Sequence, residues 1–346
     1  MKQSKREIFQ KICAISLLLL SSACNQRLSQ NSASTTTQST ADCRVVEHDA
    51  GDTQVCGQPQ RVATLSPYVL DMMLALGVQP VGHVEYYSST RQQFDRPSEQ
   101  IPYLGDRITT QPLNLGERQT PSLETLTLLK PDLILGERWH FQSYDLFSKV
   151  APTVLVDYGE GGGWQEDIHP IAKALDRESE AEQVIAVHEQ QVAAVQRKLA
   201  SVLATNPRLL LITTVDNLSG SIHLFNKDTP GTLLERIGFE LIGSEGVKRG
   251  TGKTISVEVL AQFSPDIVIV SGSQYGSHDP ELNKFKQQWN QIPILQTMKA
   301  NRNGCVYFVD NLLWGGNVRG PISEEIVMEQ LPELLLPPCQ NSKPEN

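Results

Sequence analysis

The chain has 346 residues, 39% of them hydrophobic and 20% charged, which suits about two globular domains. Its formal net charge is −9, and Lys2, Lys5, Arg6 and Lys11 against Glu7 leave the rest more acidic still. An acidic body excludes nucleic acid or an anionic membrane surface as the main partner, though not a local basic pocket.

Residues 1–23 read as a signal peptide. The apolar run Ile12–Leu20 is too short to cross a bilayer. Ser21-Ser22-Ala23 before Cys24 resembles a bacterial lipobox, in which the Cys is acylated and becomes the new N-terminus. Ser21 departs from the usual Leu, and Leu20 stands one place early; an ordinary signal peptide cut nearby is the alternative. Residues 24–42 are too polar to order themselves and read as a flexible linker. Such a tether places the globular part at a membrane face, outside the cytoplasm. Lipidation at Cys24, with Cys13 in the signal, leaves four Cys for an oxidising compartment. Cys43 with Cys56 would close a loop worth about 3 kcal/mol within the N-terminal segment 43–60. Cys305 with Cys339 would tie the last strand region to the tail. Buried free thiols are the alternative.

Arg61–Ser66 is predicted as the first core strand, Val69–Leu76 as a helix and Val78–Val84 as a strand. Residues 85–120 form an extra stretch rich in Tyr, Arg, Pro and Gln. Then PSLETLTLLKPDLILGERW (Pro121–Trp139) gives an N-cap Ser122, a helix, a Pro131-Asp132 break and a buried strand. Val154–Asp157 is another strand, and Trp164–Leu175 a helix. The longest helical pattern is 179–203, with Ser179 and Glu182 as a capping box. It is long enough to link two lobes. A single helix bends less readily than loop hinges, so ligand binding should close the lobes only slightly. His188 lies on its apolar face and reads as a core histidine.

The second half repeats the first. Arg208–Thr214 opens it, and ISVEVLAQFSPDIVIVSGSQ (Ile255–Gln274) restates the Ser, Glu, Pro-Asp and strand order with Ser256, Glu258 and Pro265-Asp266. Upstream, Leu76–Gly82 matches Ile237–Gly243, each with a Gly suited to a helix C-cap. A helix near Leu282–Gln288, a strand at Cys305–Asp310, a loop at Leu312–Arg319 and a closing helix from Ile322 complete the chain. Alternating helices and buried strands predict an α/β fold of two lobes with mostly parallel sheets. The divisions are 61–176, N-terminal lobe; 177–205, inter-lobe helix; 206–340, C-terminal lobe; and 341–346, tail.

Enzyme motifs are missing. Residues 246–254 (GVKRGTGKT) lack the first Gly of a phosphate-binding loop, and neither GxSxG nor HExxH occurs. Seven His are scattered singly, and no Cys/His spacing suits zinc. In open α/β sheets ligands sit outside the carboxyl ends of the strands. Residues assigned there as a basic, aromatic pocket are Tyr68, Tyr86, Arg138, Trp139, Tyr275, Trp314 and Arg319, with Arg107 on weaker positional grounds.

Arg61–Gly82 (RVATLSPYVLDMMLALGVQPVG), Ser122–Leu135, Val257–Val270 and the long helix make the chain resemble the iron-siderophore/vitamin B12 family of periplasmic solute-binding proteins, over about residues 43–335. The Cys43–Cys56 segment and YFVDNLLWGGNVRGP resemble its iron-siderophore branch. The resemblance implies two α/β lobes bridged by one rigid helix. It implies a receptor rather than an enzyme, with no cofactor and no resident metal. The ligand would be a ferric siderophore or related iron chelate, handed to an ABC importer. It also implies that Glu124 and Glu258, one per lobe, pair with Arg residues of the permease dimer. A cobalamin or haem receptor of the same fold, and an α/β chelatase-like enzyme, are the alternative readings.

Overall fold

The computed structural model describes residues 42–85, 91–156, 163–214, 222–224, 229–243, 253–273, 279–314 and 319–336. A hairpin of β1 (Cys43–His48) and β2 (Gly51–Cys56) precedes the first lobe, and a disulfide joins Cys43 to Cys56 across it. Next come β3 (Val62–Thr64), α1 (Pro67–Ala75), β4 (Pro80–Glu85), α2 (Pro97–Gln100), β5 (Leu113–Glu117) and β6 (Thr120–Pro121). The lobe continues with α3 (Leu123–Leu129), β7 (Leu133–Glu137), α4 (Tyr144–Phe147), β8 (Thr153–Val156) and α5 (Trp164–Leu175). Two helices, α6 (Glu178–Lys198) and α7 (Ala200–Thr205), lead to the second lobe.

That lobe runs β9 (Arg208–Thr214), β10 (Ile222–Leu224), α8 (Thr229–Ile237), β11 (Glu240–Leu241), β12 (Lys253–Ile255), α9 (Val257–Leu260) and β13 (Ile267–Ser273). It ends with α10 (Asp279–Gln291), α11 (Pro293–Gln296), α12 (Lys299–Arg302), β14 (Val306–Phe308), α13 (Asn311–Trp314) and α14 (Pro321–Leu335).

The first sheet has the order β6-β5-β4-β3-β7-β8, and only β6 runs antiparallel to its neighbour. In the second, β11, β13 and β14 pair in parallel through β9 and β13, while β10 and β12 are antiparallel. The fold is therefore α/β with mostly parallel sheets. β5 is a strand that the sequence leaves unassigned inside 85–120. Its run LNLGE is short and polar at every second place, and Asn114 is buried by bonding Glu85 and the Arg91 carbonyl.

The repeated motif is built the same way twice. Arg61 donates to the carbonyls of Leu129 (2.6 Å) and Lys130 (3.1 Å), capping the end of α3. Its own N–H donates to Asp132 at 2.8 Å. In the second lobe Arg208 donates to the carbonyls of Phe263 and Ser264, both 3.1 Å, and its N–H to Asp266 at 3.1 Å. The helical runs end on Lys130 (φ 51°) and Ser264 (φ 47°), one residue before the Pro. The Pro restricts the residue before it, and here the left-handed turn, not the Pro itself, is the stop. Gly77 (φ 77°) and Gly238 (φ 116°) supply the expected C-cap conformation.

The inter-lobe connection differs from the prediction in two ways. Helix α6 starts at Glu178 after Arg177, so Ser179 is not a cap; its hydroxyl donates to Glu180 instead. The helix also breaks at Leu199 (φ −94°, ψ 7°), leaving α7 as a separate turn and a half. Ala181 packs in the first lobe's core; Val192, Val195 and Leu199 pack in the second's. A second bridge exists: α14 packs on α1, α6 and α8. Its first turn is capped by Asp71 of α1, fully buried, which accepts from the N–H groups of Gly320 (3.2 Å), Ile322 (2.8 Å) and Ser323 (3.0 Å), and from the Ser323 hydroxyl. Both lobes thus lie within one compact unit, Ala41–Asn346.

The hairpin lies along β8, the last strand of the first sheet. Asp49 donates to the Leu155 carbonyl (3.1 Å) and Thr53 to that of Thr153 (2.7 Å). Cys305 is disulfide-bonded; Cys24 and Cys339 lie outside the described residues.

His83, buried in β4 and bonded to Thr64 Oγ1 at 2.8 Å, has its pKa held down to about 3 by burial. Asp71 is pushed up to about 6 by burial, against the lowering effect of its donors. The two oppose each other in acid. Below pH 6.5 the unfolded chain protonates His83 and the folded chain does not, so stability falls with pH down to about 3. Asp71 keeps its proton longer when folded, which adds stability as pH falls from 6 towards 3.8. His83→Gln should shrink the loss of urea midpoint between pH 6.5 and 4. An unchanged slope would mean that His83 does not carry it.

Candidate functional site

The carboxyl ends of the first sheet place Ser66 after β3, Glu85 on β4, Glu117 on β5 and Glu137 on β7. They meet α1, α5 and the residues before α14. Ser66 caps α1, accepting from the Tyr68 N–H at 3.0 Å, and its hydroxyl donates to Glu137. Arg319 lies 3.4 Å from Glu137 Oε2, with its guanidinium 5.1 Å from the Tyr68 ring centre. Tyr68 donates to Asp167 of α5 at 2.5 Å. Burial first, then the Asp167 charge, pushes the Tyr68 hydroxyl well above its usual range, so it stays a donor. Arg319 (3% exposed) and Tyr68 (1%) form a buried floor rather than an open wall. The Arg319 charge is matched by Glu137, and Asp167 adds a further negative charge. A floor of that balance is not by itself an anion clamp.

A neighbouring cluster ties the same ends across the lobes. Glu324 of α14 accepts from the Trp164 indole at 3.0 Å and lies 2.6 Å from His188 of α6. The Trp164 and His188 rings meet edge to face at 4.9 Å. His188 is thus a buried, partnered core residue, as expected.

Above the floor stands a single-file turn. Residues Arg138–Ser143 form a 3₁₀ helix directly after β7. Arg138 and Trp139 are exposed, Trp139 by 45%, while His140 is buried and donates through Nε2 to the Arg118 carbonyl at 2.7 Å. Burial lowers the His140 pKa and keeps the ring neutral, with Nδ1 accepting from the Glu137 N–H. Arg118 carries its guanidinium 4.2 Å over the Trp139 ring. In the second lobe the strand ends hold Thr213, Ser271 and Asn311, with both hydroxyls 3.2 Å from Asn311 Oδ1. Among the described residues, no group of three or more His, Cys, Asp or Glu is placed to hold a metal ion.

The structure thus brings Tyr68, Arg138, Trp139 and Arg319 to one set of strand ends. It sets two other candidates apart. Arg107 is held at the amino end of β4, since its carbonyl bonds Gln79 and Thr110 bonds the Pro80 carbonyl; its guanidinium lies 3.5 Å from Glu325. The crossover between β4 and β5 has to return to that end, which the residue pattern of 85–120 does not reveal. Trp314 is in the second lobe's core, 1% exposed, with its indole bonded to Gln330 of α14 at 2.9 Å. The expected loop there begins as α13, which buries it. Tyr86 and Tyr275 lie outside the described residues. Sequence reasoning misses Arg118, Phe141 and Glu137. Only Glu137 had a signal, its place at the end of the first repeated strand. Glu124 and Glu258 are exposed in the first turns of α3 and α9. A bond from Ser256 holds the Glu258 carboxyl below its usual range.

The chain is similar to known proteins in sequence and fold. The family described as periplasmic binding protein matches residues 62–312. The Bacillus subtilis protein named probable siderophore-binding lipoprotein YfiY is 26% identical over 319 residues, covering 90% of this chain and 92% of its own. The Fe(3+)-citrate-binding protein YfmC of the same organism is 28% identical over 313 residues, covering 88% and 90%. The crystal structure of Staphylococcus aureus SirA complexed with staphyloferrin B superposes with TM-score 0.69 at 24% identity, covering 85% of this chain and 98% of that one.

The buried Arg319–Glu137 pair gives a direct test of the floor. Arg319→Met alone strands a carboxylate and should cost about 3–5 kcal/mol in urea unfolding. Adding Glu137→Gln, which keeps an acceptor for Ser66, should restore much of that loss. Additive losses would mean that the two charges do not act as a pair.

Proposed function

The chain belongs to the periplasmic binding protein family, and from that premise we propose that it is an extracytoplasmic receptor that captures a ferric siderophore or related iron chelate between its lobes and delivers it to an ABC importer. Family members bind solutes rather than transform them. The observation that carries the reading is the joint one: two mostly parallel sheets in a chain that aligns along nine-tenths of a protein named probable siderophore-binding lipoprotein. The proposed ligand contacts are Arg138, Trp139, Tyr86 and Tyr275, with Tyr68 and Arg319 supporting them from below. The iron is cargo, brought and held by the chelator, so the protein needs no metal ligands of its own. Cys24 would carry the lipid anchor and residues 24–42 the tether, with the globular part in the cell envelope outside the cytoplasm. The purified protein, from residue 43 on, should bind one ferric chelate per chain, read as quenching of tryptophan emission. Binding of cobalamin or haem and of no ferric chelate would replace this reading by its alternatives.

The permease contact rests on Glu124 and Glu258. They occupy equivalent places in the two copies of the repeated motif, and each sits in a first helical turn, where the dipole alone favours a carboxylate. One acidic knob per lobe matches a two-subunit partner. Reversing both to Lys should leave folding and chelate binding intact while uptake through the cognate importer falls sharply. Normal uptake by the double variant would move the docking surface elsewhere.

A further inference from the structure

The turn after β7 presents more than the single exposed Trp. Side chains three apart in a 3₁₀ helix stand in line. Arg138 therefore aligns with Phe141 and Trp139 with Gln142, and all four are exposed, Phe141 by 57%. The intervening His140 is the anchor. It is buried, meets Phe147 edge to face at 6.1 Å and reaches the Arg118 carbonyl. The Arg118 N–H is fixed in turn by the Glu85 carbonyl at 3.1 Å. Arg118 is thereby brought from the end of β5 to lie over Trp139.

Two rows of exposed side chains, Arg138 with Phe141 and Trp139 with Gln142, thus flank the buried His140, and Arg118 lies over the Trp139 ring. A guanidinium stacked on a ring suits a ligand that is itself flat and anionic: the ligand ring stacks, and its oxygens meet the cations. An aliphatic carboxylate would engage the Arg side chains and leave the rings wet. A ferric trihydroxamate, whose three monoanionic donors leave the complex neutral and which carries no aryl ring, would engage neither well.

We infer that the Arg118–Trp139 platform selects ferric chelates whose donor groups are anionic aryl oxygens, catecholates or phenolates; this rests on the chelate-receptor reading above. Phe141 and Arg138 complete the contact, and Arg118 is its specificity-determining cation.

The test is equilibrium dialysis with radioactive iron as three complexes: an iron(III) triscatecholate built on dihydroxybenzoyl groups, iron(III) citrate, and an iron(III) trihydroxamate. The wild-type protein should bind the triscatecholate at least about tenfold more tightly than the other two, given the strength of stacking. Trp139→Ala and Arg118→Gln should each weaken it by about tenfold, and Trp139→Phe should recover most of the loss. Trp139→Ala should change affinity for citrate or trihydroxamate by less than about twofold, since neither stacks, whereas Arg118→Gln should also weaken citrate, whose carboxylates meet the cation, and leave trihydroxamate unchanged. Phe141→Ala, whose side chain is outside the core, gives the same reading if the Trp139 variant folds poorly. A wild-type preference for citrate or trihydroxamate, or equal weakening of all three complexes, overturns the inference and leaves the receptor reading standing. Failure to bind any of the three overturns both.

Discussion

A buried carboxylate ties the two lobes together. Asp71 sits fully inside α1, and the groups that hold it are N–H dipoles and a hydroxyl at the start of α14. The positive end of the helix dipole supports the charge, while burial opposes it. The balance keeps the group titrating near 6, so it is ionised at neutral pH. The geometry tolerates nothing larger than Gly at 320, where a Cβ would stand 2.5 Å from the Asp71 oxygen. With that turn fixed, Arg319 falls beside Glu137 and Tyr68, and Glu324 falls between Trp164 and His188. The chain that leaves the first lobe through α6 is brought back to it by α14. Two bridges between the lobes, rather than one, resist both bending and twisting.

Much of this was legible because it is periodic or repeated. The Ser, Glu and Pro-Asp order marked α3 with β7 and α9 with β13 to within a residue or two. Burial on both sheet faces wrote LLLI and IVIV as continuous apolar runs. What escaped was set by contacts distant in sequence. Nothing local to Asp71 announces that it will cap a helix some 250 residues later. Arg107 read as a site residue because its stretch is rich in Arg and Tyr, yet the return of the crossover to the start of β4 carries it away. Trp314 read as a loop aromatic because Gly follows it, yet α14 covers it. Ser179 matched a capping pattern, but the helix had already begun.

The site has a similar history. Strand-end placement put Tyr68, Arg138, Trp139 and Arg319 beside the ends of the first sheet, where the structure has them, since their positions follow from strand and turn order. It did not find Arg118, which reaches Trp139 only because His140 draws two loops together over the sheet. Nor could it separate buried from open charge. Arg138 is exposed while Arg319 faces Glu137 in the interior, and only the packing of α1 against α14 decides which is which.

The disulfide-closed hairpin beside β8 shields one edge of the first sheet. A parallel sheet must end somewhere, and its last strand offers a row of backbone groups to any passing chain. Here the hairpin takes up two carbonyls of that row, Leu155 through the Asp49 N–H and Thr153 through the Thr53 hydroxyl. Covering that edge with a covalently locked ribbon therefore acts as a guard against strand-to-strand polymerisation, and the Cys43–Cys56 disulfide is what keeps the guard in place.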